Sequence, residues 1–226
     1  MEEAKLRENI ELLKSVAVQE GGENVTLVAA TKTRSPEEIQ AAFRCGIEHA
    51  GENRVQEFCE KLPLGAYEGM TKHFIGHLQT NKVSKIVGFV ELIQSVDSIH
   101  LLTAVQRQAE KLGICQDVLA EINIGGEEAK SGMKPEELDA FLEFAASQKN
   151  IRVMGLMTVA PKAENDDVCQ YFNRMYKLFI DKQHISNDNI MMRYLSMGMS
   201  GDFLQALSCG SNMIRIGTGI FGPRFY

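Results

Sequence analysis

Eight short apolar runs alternate with amphipathic segments along these 226 residues, and that alternation constrains the fold more than any other feature of the chain. The runs are VTLVAAT (25–31), GIEHAG (46–51), HFIG (73–76), ELIQSV (91–96), DVLAEINI (117–124), RVMGLMTV (152–159), RYLSMG (193–198) and NMIRIGTG (212–219). Between them lie helical patterns such as SPEEIQAAFRCG, VQEFCEKL, NKVSKIVGF, SIHLLTAVQRQAEKLG, KPEELDAFLEFAASQ, DDVCQYFNRMYKLFIDKQ and GDFLQALSCG. Ser35-Pro36-Glu37-Glu38 is a helix start and Gly113 after AEKL is a helix stop. Strands that alternate with helices build βα units and a parallel sheet. Eight of them close a (β/α)8 TIM barrel. The competing doubly wound sheet wants a glycine-rich G-x-G-x-x-G turn after its first strand, and ATKTRS stands there instead.

The chain therefore reads as a single α/β domain over 1–226. A helix over 1–20, with Leu6, Ile10, Leu13 and Val16 at helical spacing, packs on the barrel. The stretch 161–168 is a polar loop within the domain, and Asp166-Asp167 reads as the acidic start of a helix. With 44% hydrophobic residues such a domain buries a core without a disulfide or a structural metal. The five cysteines are odd in number and widely spaced, with no C-x-x-C pair, which points to reduced thiols and no metal site. A net charge of −6 without a basic run excludes a nucleic-acid partner. The acidic, amphipathic start is neither a secretion signal nor a transit peptide, and no stretch approaches a membrane span. A cytoplasmic protein is expected.

Active sites of such barrels lie at the C-terminal strand ends. There the first run ends in Lys32, the second in Glu52, Asn53 and Arg54, the third in His77, Gln79 and Asn81, and the fifth in Asn123. The sixth presents Met157 and Thr158. The seventh leads into SMGMSGD with Ser200, and the eighth into Gly217, Thr218 and Gly219. Small-residue loops after strands seven and eight are a common phosphate site, where unpaired backbone N–H groups meet the anion and glycine permits close approach. Arg215 alternates with Ile214 and Ile216, faces inward, and needs a ligand or an acid partner there. A lysine amine has a reference pKa of ~10.4 and is protonated at neutral pH. Burial or a neighbouring cation lowers that value and permits a Schiff base with an aldehyde. Lys32 taken alone reads first as a solvated strand end; a phosphate cradle on the adjoining eighth strand suits a phosphorylated aldehyde.

Read together, VAATKTRSPEEI, GENRVQE, HFIGHLQTNK, IQSVDS, EINIGGEEAKSG, MGLMTVAP, LSMGMSGD and IRIGTGIFG resemble the YggS/PROSC family of pyridoxal phosphate homeostasis proteins, in the family's order from about residue 25 onward. That family resembles the barrel domain of alanine racemase, the fold type III group. The resemblance implies that Lys32 holds pyridoxal 5'-phosphate (PLP) as a Schiff base. It implies further that Ser200, Gly217 and Thr218 hold the phosphate, that Arg215 lies beside the pyridine nitrogen, and that Asn53 lies near the cofactor. Lys72 stands where many members carry tryptophan before HFIG, a departure that leaves Lys32 untouched.

The family's implied role is to buffer PLP, deliver it to apoenzymes and balance amino- and keto-acid pools, with no established reaction. An arginine at the ring nitrogen opposes its protonation and weakens the ring as an electron sink. The alternatives are an amino-acid racemase and a Schiff-base aldolase. A racemase needs a second base, which a tyrosine of another domain supplies in alanine racemase. No such domain follows before Tyr226, and an uncovered mouth suits delivery and a monomer. His77 and Met157 are additional pocket residues: His77 a rim group or an acid–base at the mouth, Met157 pocket wall. His49 is expected to pack or hydrogen-bond inside the barrel, while Glu127-Glu128 and Lys130 form a solvated loop from which Lys130 could reach the mouth.

Overall fold

The computed structural model describes residues 3–127, 129–161, 167–185 and 187–223. Glu128, Asp166, most of the 161–168 loop and Tyr226 lie outside them. Among the described residues the apolar runs become eight parallel strands: β1 (Thr26–Ala30), β2 (His49–Glu52), β3 (Thr71–Phe74), β4 (Leu92–Val96), β5 (Gln116–Glu121), β6 (Ile151–Met157), β7 (Ile190–Met199) and β8 (Met213–Ile216). Each pairs with its sequence neighbour, and β8 pairs with β1 to close the barrel.

The helices are α1 (Glu3–Gly21), α2 (Pro36–Arg44), α3 (Val55–Lys61), α4 (Ile99–Leu112), α5 (Leu138–Ala146), α6 (Asp167–Lys182), α7 (Phe203–Ser208) and α8 (Thr218–Phe221). The expected caps form. Ser35 and Glu38 make a reciprocal capping box with Pro36 in the first turn, and Gly113 ends α4 in the left-handed conformation at φ 67°. α1 buries Leu6, Ile10, Leu13 and Ala17 against the outer helices. Its buried stripe therefore ends on Ala17, one residue beyond the expected Val16, as 3.6-residue periodicity permits.

Strand bounds shift by up to three residues, as in β2, β3 and β5, and further segments depart from the sequence reading. The helix expected over 81–89 is a 3-10 helix over Thr80–Lys85. Beyond it Gly88 sits at φ 85°, and the β-branched Val83, Ile86 and Val87 favour a short tight turn. The strand expected over 212–219 stops at Ile216, and Thr218–Phe221 coil into α8, with the N–H groups of Phe221 and Gly222 bonded to the carbonyls of Gly217 and Thr218. β7 begins at Ile190 rather than 193. There Gly155 at φ 142° lets β6 bulge against it; an added Cβ would lie 1.9 Å from Tyr194 O.

Most apolar burial lies between barrel and helices. A smaller cluster of Val28, Leu92, Leu119, Met154, Met157 and Met213 fills the barrel interior. Above and beside it the interior turns polar, which is where the site begins.

Candidate functional site at the barrel mouth

β1 ends at Ala30, and the next two residues carry the site. Thr31 is fully buried, its hydroxyl donating to Gly51 O at 3.2 Å and Glu52 Oε2 at 3.1 Å. Lys32 follows, half-buried, and Thr33 turns the chain at φ 66°, a rare conformation for a β-branched residue. Glu57 holds that turn by accepting the Thr33 N–H at 2.7 Å.

Beneath it lies a cluster that sequence reasoning missed. Lys61 donates to Thr31 O at 2.9 Å, Glu52 Oε2 at 2.7 Å and Glu57 Oε2 at 2.8 Å. Tyr67 OH donates to Glu52 Oε2 at 3.3 Å; burial and the Glu52 charge push this phenol up, so it stays a donor. Glu52 thus meets Lys61 and Tyr67 and braces Thr31, the residue before Lys32, instead of lining the mouth. A Glu-x8-Lys pair across β2 and α3 gives no sequence signal, because only tertiary packing brings Lys61 back to Thr31.

Glu52 Oε1 also accepts the N–H of Asn53 at 2.7 Å, which fixes Asn53 at the end of β2. The Asn53 side-chain oxygen is buried and has no hydrogen-bond partner among the described residues. Gly76 of the next strand end packs so closely on the Asn53 backbone that a Cβ there would lie 2.0 Å from its carbonyl oxygen.

On the other side of Lys32, β8 is in register with β1, Val28 opposite Arg215 and Ala29 opposite Ile216. A Cβ on Gly217 would lie 3.5 Å from the Ala30 methyl, so the start of α8 abuts the end of β1. The N–H groups of Gly217 and Gly219 both point to Ser200 Oγ, at 3.3 Å each, and Ser200 and Thr218 are exposed. Asp202 accepts the Met199 N–H at 2.6 Å and shapes the turn before α7.

Arg215 is buried in the interior, as its alternation predicts. It donates to Ser196 Oγ at 2.6 Å and to Thr158 O at 2.8 Å. Of the two expected partners, a ligand or an acid, the acid is not among these bonds, which go to neutral acceptors. Burial pulls its pKa down to about 10, while the charges of Glu121 and Asp202 oppose the shift, so it remains a cation. Glu121, the last residue of β5, is buried, and its Oε2 has no hydrogen-bond partner among the described residues. Burial, reinforced by Asp97 and opposed by Arg215, pushes this acid up to about 7. Its place at a strand end was visible in the sequence; its lone orientation was not.

The remaining expected residues scatter. His77 is an exposed rim group, 3.3 Å from both Asp97 Oδ2 and Ser131 Oγ. Met157 lines the barrel interior below the mouth. Asn123 ties its own loop through the carbonyls of Glu127 and Lys130. Lys130 pairs with Glu127 and Ala160 O. His49 bonds to His73 as expected of an interior histidine.

A phosphorylated pyridine aldehyde finds matching groups here: an amine at Lys32, two convergent amides with hydroxyls at Ser200 and Thr218, a cationic donor at Arg215, and an unused acceptor at Asn53. Known proteins agree with the architecture. The alanine racemase N-terminal domain family matches residues 2–224. A pyridoxal phosphate homeostasis protein of Aquifex aeolicus is 44% identical over 207 residues, 91% of this chain and 90% of that protein. PipY of Synechococcus elongatus, solved with PLP bound, superposes with a TM-score of 0.85 at 30% identity, covering 96% of this chain and 100% of that one. Alanine racemase of Clostridium difficile shares the fold at 17% identity and a TM-score of 0.78, this chain spanning 56% of its length. The chain belongs to the YggS/PROSC family of pyridoxal phosphate homeostasis proteins, within the alanine racemase N-terminal domain group.

Proposed function

We propose that this protein binds PLP at the barrel mouth and serves PLP homeostasis, with Lys32 as the covalent anchor. The observation that carries the reading is the convergence of the Gly217 and Gly219 amides on Ser200, beside the strand that ends in Lys32. Bound PLP supplies an electrophilic aldehyde and an electron-withdrawing ring. Lys32 would offer the amine that anchors this aldehyde covalently. Ser200, Gly217 and Thr218 would hold the phosphate, Arg215 would meet the ring nitrogen, and Asn53 would stand near the cofactor. Because Arg215 is a cation and only donates, it would hold that nitrogen unprotonated, as an acceptor. That weakens ring-stabilised carbanion chemistry and favours holding the cofactor over turning substrates over. Among the described residues no helix is long and apolar enough to cross a membrane. We read the working form as a cytoplasmic monomer that passes PLP to apoenzymes.

Titration with PLP tests this directly. The protein should turn yellow, and borohydride should fix one PLP on Lys32, located by peptide mass mapping. Lys32→Ala should remain colourless. A wild-type protein that stays colourless, or a label at another lysine, refutes the assignment.

One observation favours a second reading, amino-acid racemisation: Glu121 is a buried mouth carboxyl poised to exchange a proton near neutral pH. Chiral analysis of alanine after long incubation with the loaded protein decides it. Turnover at enzyme-like rates would replace the carrier reading.

A further inference from the structure

A continuous hydrogen-bonded chain crosses the barrel interior from its N-terminal rim to the mouth. Arg215 Nη1 donates to Ser196 Oγ at 2.6 Å, and Ser196 Oγ donates to Gln94 Oε1 at 2.7 Å. Gln94 Nε2 lies 2.9 Å from His73 Nδ1 and 3.2 Å from Met213 Sδ. His73 Nε2 lies 3.0 Å from His49 Nδ1. Gln94, His73 and Ser196 are all buried, whereas His49 is half-exposed beside a hollow at the bottom of the barrel that Lys14 and Glu23 also line.

The polarity of this chain follows from its first member. Arginine only donates, so Ser196 Oγ accepts from Arg215 and its single proton goes to Gln94 Oε1. That fixes the orientation of the amide. Both amide N–H groups then point at His73 Nδ1 and Met213 Sδ, so His73 Nδ1 is an acceptor. His73 therefore carries its proton on Nε2 and donates it to His49 Nδ1, and His49 in turn is protonated on Nε2. In this arrangement every proton along the chain has an acceptor, whereas the flipped amide would turn its oxygen to Met213 Sδ and leave the Ser196 proton without one in the chain. Burial disfavours the charged form of both histidines, holding His73 down to about 3, with Glu48 beside His49 acting the other way. Toward the mouth, the charges felt by Arg215 are those of Glu121 and Asp202.

We propose that Gln94 is the positioning residue for Arg215: it locks Ser196 as the arginine's acceptor and aims the remaining guanidinium N–H groups at the mouth. An amide does not release its N–H proton near neutral pH, so the chain carries orientation and not protons. His49 at the bottom of the barrel consequently cannot feed a proton to Arg215. The proposal rests on the reading above that Arg215 meets the PLP ring nitrogen; the chain's polarity does not.

The two can be tested apart. Nitrogen-15 NMR of the histidine rings in PLP-free protein should show His49 and His73 as Nε2–H tautomers, with His73 not titrating between about pH 5 and 8. In Gln94→Leu the His73 signal should become a mixture of tautomers. In the near-isosteric Gln94→Glu, whose carboxylate only accepts, His73 should switch to the Nδ1–H form or become protonated. With PLP added, both variants should still capture it on Lys32 at wild-type stoichiometry, yet the absorption band of the bound cofactor should shift. An Nδ1–H or charged His73 in the wild type overturns the polarity. Wild-type tautomers together with an unshifted band in both variants overturn the positioning role. Failure of wild-type protein to capture PLP sinks the cofactor reading and with it the contact of Arg215 with the ring. Should Gln94→Leu not fold, Gln94→Glu and Ser196→Ala carry the same readouts.

Discussion

Glu121→Gln in the PLP-free protein should change how stability depends on pH, by an amount the structure supplies. The carboxyl is buried at the end of β5 and sits at about 7 instead of 4.5, chiefly through burial. A carboxyl whose folded value is raised holds its proton more tightly in the native state. Its contribution is therefore complete below the unfolded value and fades as pH rises through the folded one. A difference of roughly two and a half pH units is worth about 3 kcal/mol, most of which disappears between about pH 5 and pH 8. Glutamine matches the protonated acid in shape and stays neutral throughout. Urea unfolding of both proteins at the two pH values isolates this group, because His49 and His73 contribute with the opposite sign and cancel in the comparison. Equal m-values would show that the unfolding transition is otherwise unchanged. The variant should gain on wild type by roughly 2–3 kcal/mol on going from the lower to the higher pH. A difference that does not vary with pH, or one that grows toward acid, refutes the reasoning.

Lys61→Met should cost roughly 3–5 kcal/mol in chemical denaturation, because it strands the buried Glu52 carboxylate; the double variant Lys61→Met/Glu52→Gln should recover most of the loss, and additive losses would contradict the pairing. Gly76→Ala should destabilise by roughly 1–3 kcal/mol and weaken PLP binding, since its methyl meets Asn53 O at 2.0 Å; unchanged binding would free Asn53 of its assigned place near the cofactor. Ser200→Ala should speed PLP release roughly tenfold, the value of one hydrogen bond to a charged group, while leaving Lys32 able to form the covalent link. Release at the wild-type rate would remove Ser200 from the phosphate site.

Periodicity alone determined the barrel. A run such as VTLVAAT followed by SPEEIQAAFRCG can satisfy its backbone only as a strand followed by an amphipathic helix, and eight such units close on themselves. Caps were equally legible, because Ser35 with Glu38 and the glycine at 113 act on neighbours within one helical turn. Local rules failed where the chain bends against something distant. Gly155 bulges because Tyr194 of the adjacent strand is there, and Gly217 starts α8 because Ser200, on another loop, receives its N–H. The same division holds for the site. Lys32, Asn53, Ser200, Arg215, Gly217 and Thr218 stand at strand ends that the sequence numbers in order. What surrounds them is non-local: Lys61 reaching Thr31, Gln94 joining Ser196 to His73 across the barrel, and Glu121 left with a lone oxygen. Strand period fixes which face a residue takes, whereas its hydrogen-bond partner comes from whichever strand the closed barrel sets opposite. Only the tertiary structure decides that pairing.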